Sequence, residues 1–342
     1  MSEKISTKNL VNGVLQSIDH DREREIVSRR FGLFERKETL EQIGELLSIT
    51  RERVRQLEKA VIQKLKAAGE QHKLAGIDDF QTQILAIVKS SGQVVRISEL
   101  ANRLVEDPNR IEQSRLAFLC GLCPDLVLIS DDDTFYACVA DRQQYSEKSL
   151  KEAIGNITKT ISKIGEPKPI EYIAKQAGIA DIKHAKALAG ASKLLTSLNG
   201  QWGLVKWPLV NPKNIRDKIY VILKENGRHM HFNEIAEAIK SSEFKRKDVT
   251  TQAIHNELIK DKRFVLIGRG IYALKEWGYE KGTVADIISQ VLREANQPLH
   301  RDEIVKRVLK SRFVKETTIL LNLQGKPQFR RVAKATYELS DD

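Results

Sequence analysis

The sequence predicts a mainly α protein, with a helix-turn-helix near the N-terminus followed by tandem winged-helix units whose wings are small β-hairpins. Three observations lead there. Across 342 residues, 30% are charged and only 6% aromatic, a balance that suits helix-rich, well-solvated modules better than one large sheet. Apolar residues recur at helical spacing through Val54, Leu57, Val61 and Leu65, the stripe of an amphipathic helix. After Gly76 one plan repeats four times, at intervals of about 65 residues: helix, short extended segment, two helices and an alternating apolar hairpin.

The length leaves room for roughly two to five domains, and 41% hydrophobic content is enough for packed cores. Fifty-seven Lys and Arg against 46 Asp and Glu leave a net charge of +11. A balance of that size fits a polyanionic partner, because neutralising phosphates releases condensed counterions. Three cysteines are too few for a secreted disulfide framework. The N-terminus lacks a signal-peptide apolar core, and nowhere does the chain carry the roughly 18 consecutive apolar residues of a membrane span. A soluble, cytoplasmic protein with no membrane partner is expected.

In the first module, residues 1–75, Ile26, Val27, Phe31 and Leu33 supply apolar positions after a charged stretch. Thr39-Leu40-Glu41-Gln42 has the form of a capping box opening a short helix, with Leu40, Ile43 and Leu47 on one face. Ser48-Ile49 turns the chain, and Thr50 caps a second helix running from Arg51 to about Lys66. Opposite its apolar stripe lie Glu52, Gln56, Lys59 and Gln63, with Arg53 and Arg55 flanking and Arg51 in the first turn. Two short helices joined by a tight turn, the second bearing long polar residues at its start, make a helix-turn-helix. Those residues can hydrogen-bond base edges in a major groove. By periodicity alone, a solvated charged face is an equal reading.

The residues themselves favour the first reading. REREIVSRRFGLFERKETLEQIGELLSITRERVRQLEKAVIQKLK, residues 22–66, closely resembles region 4 of the primary sigma factors of bacterial RNA polymerase. The run TRERVRQLE at 50–58 and the RFGL lead-in at 30–33 carry the likeness. The resemblance implies that Arg51 and Glu52 read base edges, that Gln56 adds a base contact, and that Arg53 and Arg55 serve bases or phosphates. It also implies that Thr39 and Glu41 lie beside the DNA backbone, and Lys59, on the same exposed face, extends the expected DNA-facing set. The charged linker Phe34–Glu38 is a departure from the family's pattern. Regions 2 and 3 of a sigma factor would precede this segment, and only about 20 residues do, so a complete sigma factor is not expected.

The four repeats are divided as 76–145, 146–211, 212–278 and 279–342. Their second helices follow VVRISELANRL, PKPIEYIAKQAGI, HMHFNEIAEAIK and QPLHRDEIVKRVLK, and the hairpins fall at 126–139, 194–207, 263–277 and 329–339. Asn199-Gly200 and Gly268-Arg269-Gly270 are turn signals. A solenoid is the alternative for such a period. Through the runs at 253–274 and 298–305, the last two units, from about Pro212 to Leu339, resemble the HARE-HTH winged-helix family, which includes the N-terminal domain of the RNA polymerase delta subunit. That resemblance implies a nucleic-acid or polymerase-associated role.

Charge separates the modules. Residues 1–75 carry fifteen basic and twelve acidic side chains, 76–145 six and eleven, 146–211 ten and five, and 212–342 twenty-six and eighteen. Asp131-Asp132-Asp133 on the first hairpin would repel phosphates, so the acidic module is expected to contact protein. In the basic C-terminal half, Lys245, Arg246, Lys247 and Arg269 are candidates for a second DNA contact, against the reading of a merely solvated surface.

No catalytic constellation is evident, so no enzyme is expected. Cys120-Gly121-Leu122-Cys123 has zinc-knuckle spacing, but with Cys138 it reaches only three ligands where a structural zinc needs four. Buried thiols are the better reading, and no metal or cofactor is expected. His229 and His231 are two histidines only, and Gly268-Arg269-Gly270 is a hairpin turn rather than a phosphate loop. The reading is a sequence-specific transcription regulator bound to double-stranded DNA and associated with RNA polymerase core. Two rivals stand: a polymerase-binding adaptor without sequence readout, and a DNA-targeting module of a restriction, modification or defence system.

Overall fold

Four helices open the chain in the computed structural model, which describes residues 4–244 and 248–340: α1 (Thr7–Gln16), α2 (Asp21–Phe31), α3 (Leu40–Leu47) and α4 (Arg51–Glu70). α2 stops because Gly32 turns left-handed at φ 64°, where a Cβ would stand 3.0 Å from the Lys37 backbone nitrogen. The Thr39 hydroxyl accepts from Gln42 N–H at 3.3 Å while the Gln42 amide oxygen accepts from Thr39 N–H at 2.9 Å, closing the expected capping box. Ser48 ends α3 in the left-handed region, and Thr50 accepts from Arg53 N–H at 3.2 Å to begin α4. Gly44 lets the turn fold back onto α3, since a Cβ there would lie 2.7 Å from the Ile49 carbonyl oxygen.

These helices bury two faces. Ile26, Ile43 and Val54 form a small core with Leu40, Leu47, Ile49 and Leu57 packed around it, which sets the angle between α3 and α4. On the other side, Val27, Leu33, Val61 and Leu65 enter a larger core that also contains Val11, Phe80, Ile84, Leu100, Leu116 and Leu119. The helix-turn-helix and the module after it therefore share one interior. α4 runs one turn beyond the expected end, and its buried Gly69 lies against the Leu122 backbone.

The plan that follows is repeated four times. First come α5 (Ile77–Ser90), β1 (Val94–Arg96), α6 (Ile97–Leu104), α7 (Arg110–Cys120), β2 (Leu126–Ile129) and β3 (Cys138–Asp141). Next are α8 (Glu147–Ile164), β4 (Lys168–Pro169), α9 (Ile170–Ala177), α10 (Ile182–Ala191), β5 (Leu195–Leu198) and β6 (Gln201–Leu204). Then follow α11 (Ile215–Asn226), β7 (Met230–His231), α12 (Phe232–Ser241), α13 (Thr251–Lys260), β8 (Phe264–Gly268) and β9 (Ile271–Leu274). The last set is α14 (Val284–Ala295), β10 (Leu299–His300), α15 (Arg301–Ser311), α16 (Glu316–Gly325), β11 (Phe329–Ala333) and β12 (Thr336–Leu339).

Each set makes a three-stranded antiparallel sheet with its last strand in the middle, in the orders β1-β3-β2, β4-β6-β5, β7-β9-β8 and β10-β12-β11. Each repeat thus carries a small antiparallel sheet whose hairpin forms the wing. Asn199 and Gly200 both have positive φ, 49° and 75°, which gives the two-residue turn the twist its strands need.

The chain divides into two compact units, Met1–Lys206 and Trp207–Asp342. Inside the first, α7 packs on the helices before it. Arg115, 8% exposed, donates its Nε to the Leu33 carbonyl at 2.7 Å and pairs with Glu112 at 2.6 Å. The Phe31 and Phe118 rings stand 5.2 Å apart. α10 in turn lies against the β1 region, where His184 Nδ1 is 2.7 Å from the Gly92 carbonyl and Nε2 is 2.7 Å from the Tyr145 hydroxyl. The acidic wing meets the next module, with Lys193 Nζ 2.7 Å from Asp131 Oδ2 and a bridge pairing Phe135 with Ser192.

Inside the second unit, Phe313 N–H donates to the Ile267 carbonyl at 3.2 Å and Arg312 donates to the Leu266 carbonyl at 2.6 Å, so the loop after α15 covers the edge strand β8. The His229 and Phe313 rings pack at a tilt with centroids 4.4 Å apart, and the His231 ring accepts from Asn233 N–H at 3.3 Å to cap α12. Both histidines are thus occupied in packing and capping. Among the described residues no helix is long and apolar enough to cross a membrane.

Candidate nucleic-acid interface

The N-terminal half of α4 carries Arg51, Glu52, Arg53, Arg55, Gln56 and Lys59, all exposed. Val54 is wholly buried and Leu57 half-buried behind them, so the polar set projects outward from an anchored helix. The side chains form two connected groups. Arg51 Nη1 lies 2.6 Å from Glu41 Oε1, tying the start of α4 to α3. Arg55 grips Glu52 with two parallel hydrogen bonds, Nε at 2.9 Å and Nη2 at 2.7 Å. Gln56 Nε2 reaches the same Glu52 carboxylate at 3.4 Å, and Arg53 Nη1 stands 3.5 Å from Gln56 Oε1.

Exposed pairs of this kind add little to stability. They act here as orienting devices. A guanidinium has five N–H donors, and the bidentate grip on Glu52 leaves Arg55 with donors to spare. The hydrogen bond from Arg55 holds the Glu52 carboxyl below the usual glutamate range, and the same bond raises Arg55 further. Glu52 is therefore an ionised acceptor and Arg51, Arg53, Arg55 and Lys59 are cationic donors on one exposed surface. The arrangement offers both hydrogen-bonding senses to base edges, with surplus positive charge for phosphates.

Thr39 is exposed, but its hydroxyl is engaged in capping α3. Glu41 stands beside Arg51 rather than alone. The loop between α2 and α3 is held back against α2: Arg29 pairs with Glu38 at 2.9 Å and Arg30 donates to the Glu38 carbonyl at 3.3 Å. Arg30 also reaches Glu58 at 3.4 Å, which removes that acid from the exposed face of α4. The charge pattern alone did not separate Glu58 from Glu52. Its position beside the Val54–Leu57–Val61 stripe was the signal.

The other candidates lie apart from this face. Arg269 is exposed in the turn between β8 and β9. Lys245, Arg246 and Lys247 lie outside the described residues. The third helix of the first winged unit has little free surface to offer a groove, since α7 is pressed on α1 and α2, while α10 packs on β1 and keeps Ile182, Lys183 and Lys186 exposed. Arg115 was not singled out in the sequence, and nothing in its local spacing marks it. The three cysteines are buried and reduced. Burial pushes Cys123 and Cys138 up to about 12 and Cys120 well above its ordinary value, which keeps them as neutral thiols.

Comparison with known proteins meets the chain at this same segment. Residues 20–67 match the family described as sigma-70, region 4. The RNA polymerase sigma factor RpoD of Helicobacter pylori is 44% identical over 62 residues, 18% of this chain and 9% of that protein. The sigma factor SigA1 of Synechococcus elongatus is 44% identical over 64 residues, 17% of this chain and 16% of that protein. The chain thus spans under a fifth of the length of these curated relatives. What it shares with them is a sigma-70 region 4 helix-turn-helix whose second helix is α4.

Proposed function

We propose that the chain is a non-enzymatic transcription regulator of the bacterial cytoplasm, nucleoid-associated, that binds double-stranded DNA sequence-selectively through the exposed face of α4. The observation that carries this is the hydrogen-bonded group Arg53–Gln56–Glu52–Arg55 beside Arg51, held outward on a helix anchored by Val54. The sigma factors that match this segment are named as RNA polymerase factors, and RNA polymerase is the protein partner proposed for this chain. The repeats of the first unit add structure, and those of the second, read as HARE-HTH-like modules, bring basic charge, where Arg269 and the Lys245–Arg246–Lys247 run supply sequence-independent affinity.

The test is selection from a randomised duplex library, with salt titrated on enriched and unenriched pools. The expected result is a short motif resembling the upstream promoter box, with enrichment lost in Arg51→Ala. Binding that is salt-sensitive but motif-free, and indifferent to that substitution, would overturn sequence selectivity.

A second reading has one observation behind it. α7 and α10 are turned onto neighbouring modules of the chain, so the winged units serve protein contacts, as a polymerase-binding adaptor would require. Against it, the apolar side of the helix-turn-helix, at Val27, Leu33, Val61 and Leu65, is covered by the protein's own core. Capture of polymerase with no DNA footprint would favour the adaptor. A DNA-targeting role for a restriction, modification or defence enzyme would show as the same motif selection without polymerase capture.

A further inference from the structure

The first winged unit is acidic, with six basic against eleven acidic residues in 76–145. Yet two of those six, Arg96 and Arg103, line one cleft, where Lys183 and Lys186 from α10 join them. We propose that this cleft, between the first and second winged units, binds a small phosphorylated ligand of nucleoside-diphosphate size and charge.

The cleft has a volume of about 490 Å³, within the range that takes a single small ligand and far too small for a duplex. Glu99 is its one carboxylate, against four cations. Lys183, Lys186 and Arg103 have no acidic partner among the described residues. Arg103 donates to the Ser91 hydroxyl at 2.7 Å, which fixes its guanidinium at the rim. Arg96 is more tightly held. Its guanidinium lies 4.8 Å over the Tyr136 ring, and its Nε stands 3.4 Å from Glu99 without making a hydrogen bond, buried and without an acceptor. A buried donor left unpaired is uncommon and calls for an explanation. An anion drawn into the cleft would neutralise the guanidinium that carries it.

Two positions without a side chain let the walls approach this closely. Gly92 has φ 93°, and a Cβ there would lie 2.5 Å from the Lys183 carbonyl oxygen. A Cβ on Gly190 would stand 3.1 Å from Arg96 Nη2. Trp202, mostly buried, is an aromatic residue of the lining, and bases stack on such rings. A terminal phosphate carries about −1.5 to −2 at neutral pH, so a diphosphate approaches the surplus of positive charge. The same cations could hold free pyrophosphate, and the test separates the two sources.

The full-length protein is titrated calorimetrically at physiological salt with ADP, GDP and inorganic pyrophosphate, alongside Lys186→Gln and Arg103→Gln. A nonspecific duplex is titrated in parallel, and thermal melts verify that both variants fold. The expected result is saturable one-to-one binding of a nucleoside diphosphate, weakened on the order of tenfold or more in each variant, with duplex affinity unchanged. The proposal is overturned by no saturation with any probe at millimolar concentration, or by equal nucleotide binding in the variants. Pyrophosphate saturating the protein while neither nucleotide does would also overturn it. So would loss of duplex affinity in the variants without nucleotide binding, which would assign these cations to a DNA backbone.

Discussion

α4 and α7 hold equivalent places in their modules, each the helix that a DNA-binding motif would present to a groove. α4 turns its polar residues outward, with Arg51 two-thirds exposed. α7 turns inward, and Arg115 is buried with its guanidinium on the Leu33 carbonyl. The two arginines show how one side chain serves opposite ends. In α4, charge stands on a helix secured by Val54 and Val61 beneath it. In α7, charge is itself the fastening, because a buried guanidinium persists only when it is paired and hydrogen-bonded. A third helix in a winged unit is thus not by itself evidence of DNA contact. What surrounds it decides.

The sharpest way to break the comparison is Arg115→Ala. It strands the Leu33 carbonyl, leaves the Glu112 carboxylate with the Thr7 hydroxyl but no cation, and opens a gap between α2 and α7. The expected cost is roughly 3 kcal/mol, read by chemical denaturation of the full chain. A cost below about 0.5 kcal/mol, the range of plain surface substitutions, would mean that α7 is not fastened this way. Gly92→Ala comes next. Its strained φ and the approach of the Lys183 carbonyl oxygen predict a loss of about 2 kcal/mol and faster proteolysis around 90–96 and 181–186. An unchanged digestion pattern would count against the packing of α10 on β1.

Much of this was legible in the residues. Thr39 and Gln42 announced the capping box, Asn199-Gly200 the wing turn, and the hairpins the last two strands of each sheet. These features are local, set by neighbours a few positions away. Hidden from sequence was everything that depends on which module meets which. Arg115 lies 82 positions from Leu33, and His184 lies 92 from Gly92. No periodicity encodes such pairings. The acidic wing was half legible: its charge forbade phosphate, but Lys193 as its partner came only from the fold. The candidate DNA face was legible as a set of residues, while its hydrogen bonds through Glu52 and Glu41 were not.

Arg51→Ala tests the other side of the comparison. Stability should stay unchanged, since the side chain is exposed and its pair with Glu41 is a surface pair. Preference for the selected motif over a scrambled duplex should fall on the order of tenfold. A drop in affinity equal for both duplexes would place Arg51 on phosphate rather than on a base edge.

The smallest expected effect is a flat line. The hydrogen bond from Arg55 holds Glu52 below the ordinary glutamate range, so the carboxylate stays ionised well into mildly acid solution. The sign follows directly: a group whose folded pKa is depressed keeps its contribution above the unfolded value, and loses it only as pH falls through the folded one. Because Glu52 is fully exposed, stability will not report this, and the readout is motif preference. Between pH 8 and 5 that preference should not change, within the roughly twofold scatter of a competition assay. Arg55→Gln returns Glu52 toward its ordinary value near 4.3, so when the titration is carried below pH 5 the variant's preference should begin to shift at higher pH than the wild type's. Identical profiles for the two proteins would mean that the grip of Arg55 on Glu52 is not what presents Glu52 as an acceptor, and that the two residues act separately on the face of α4.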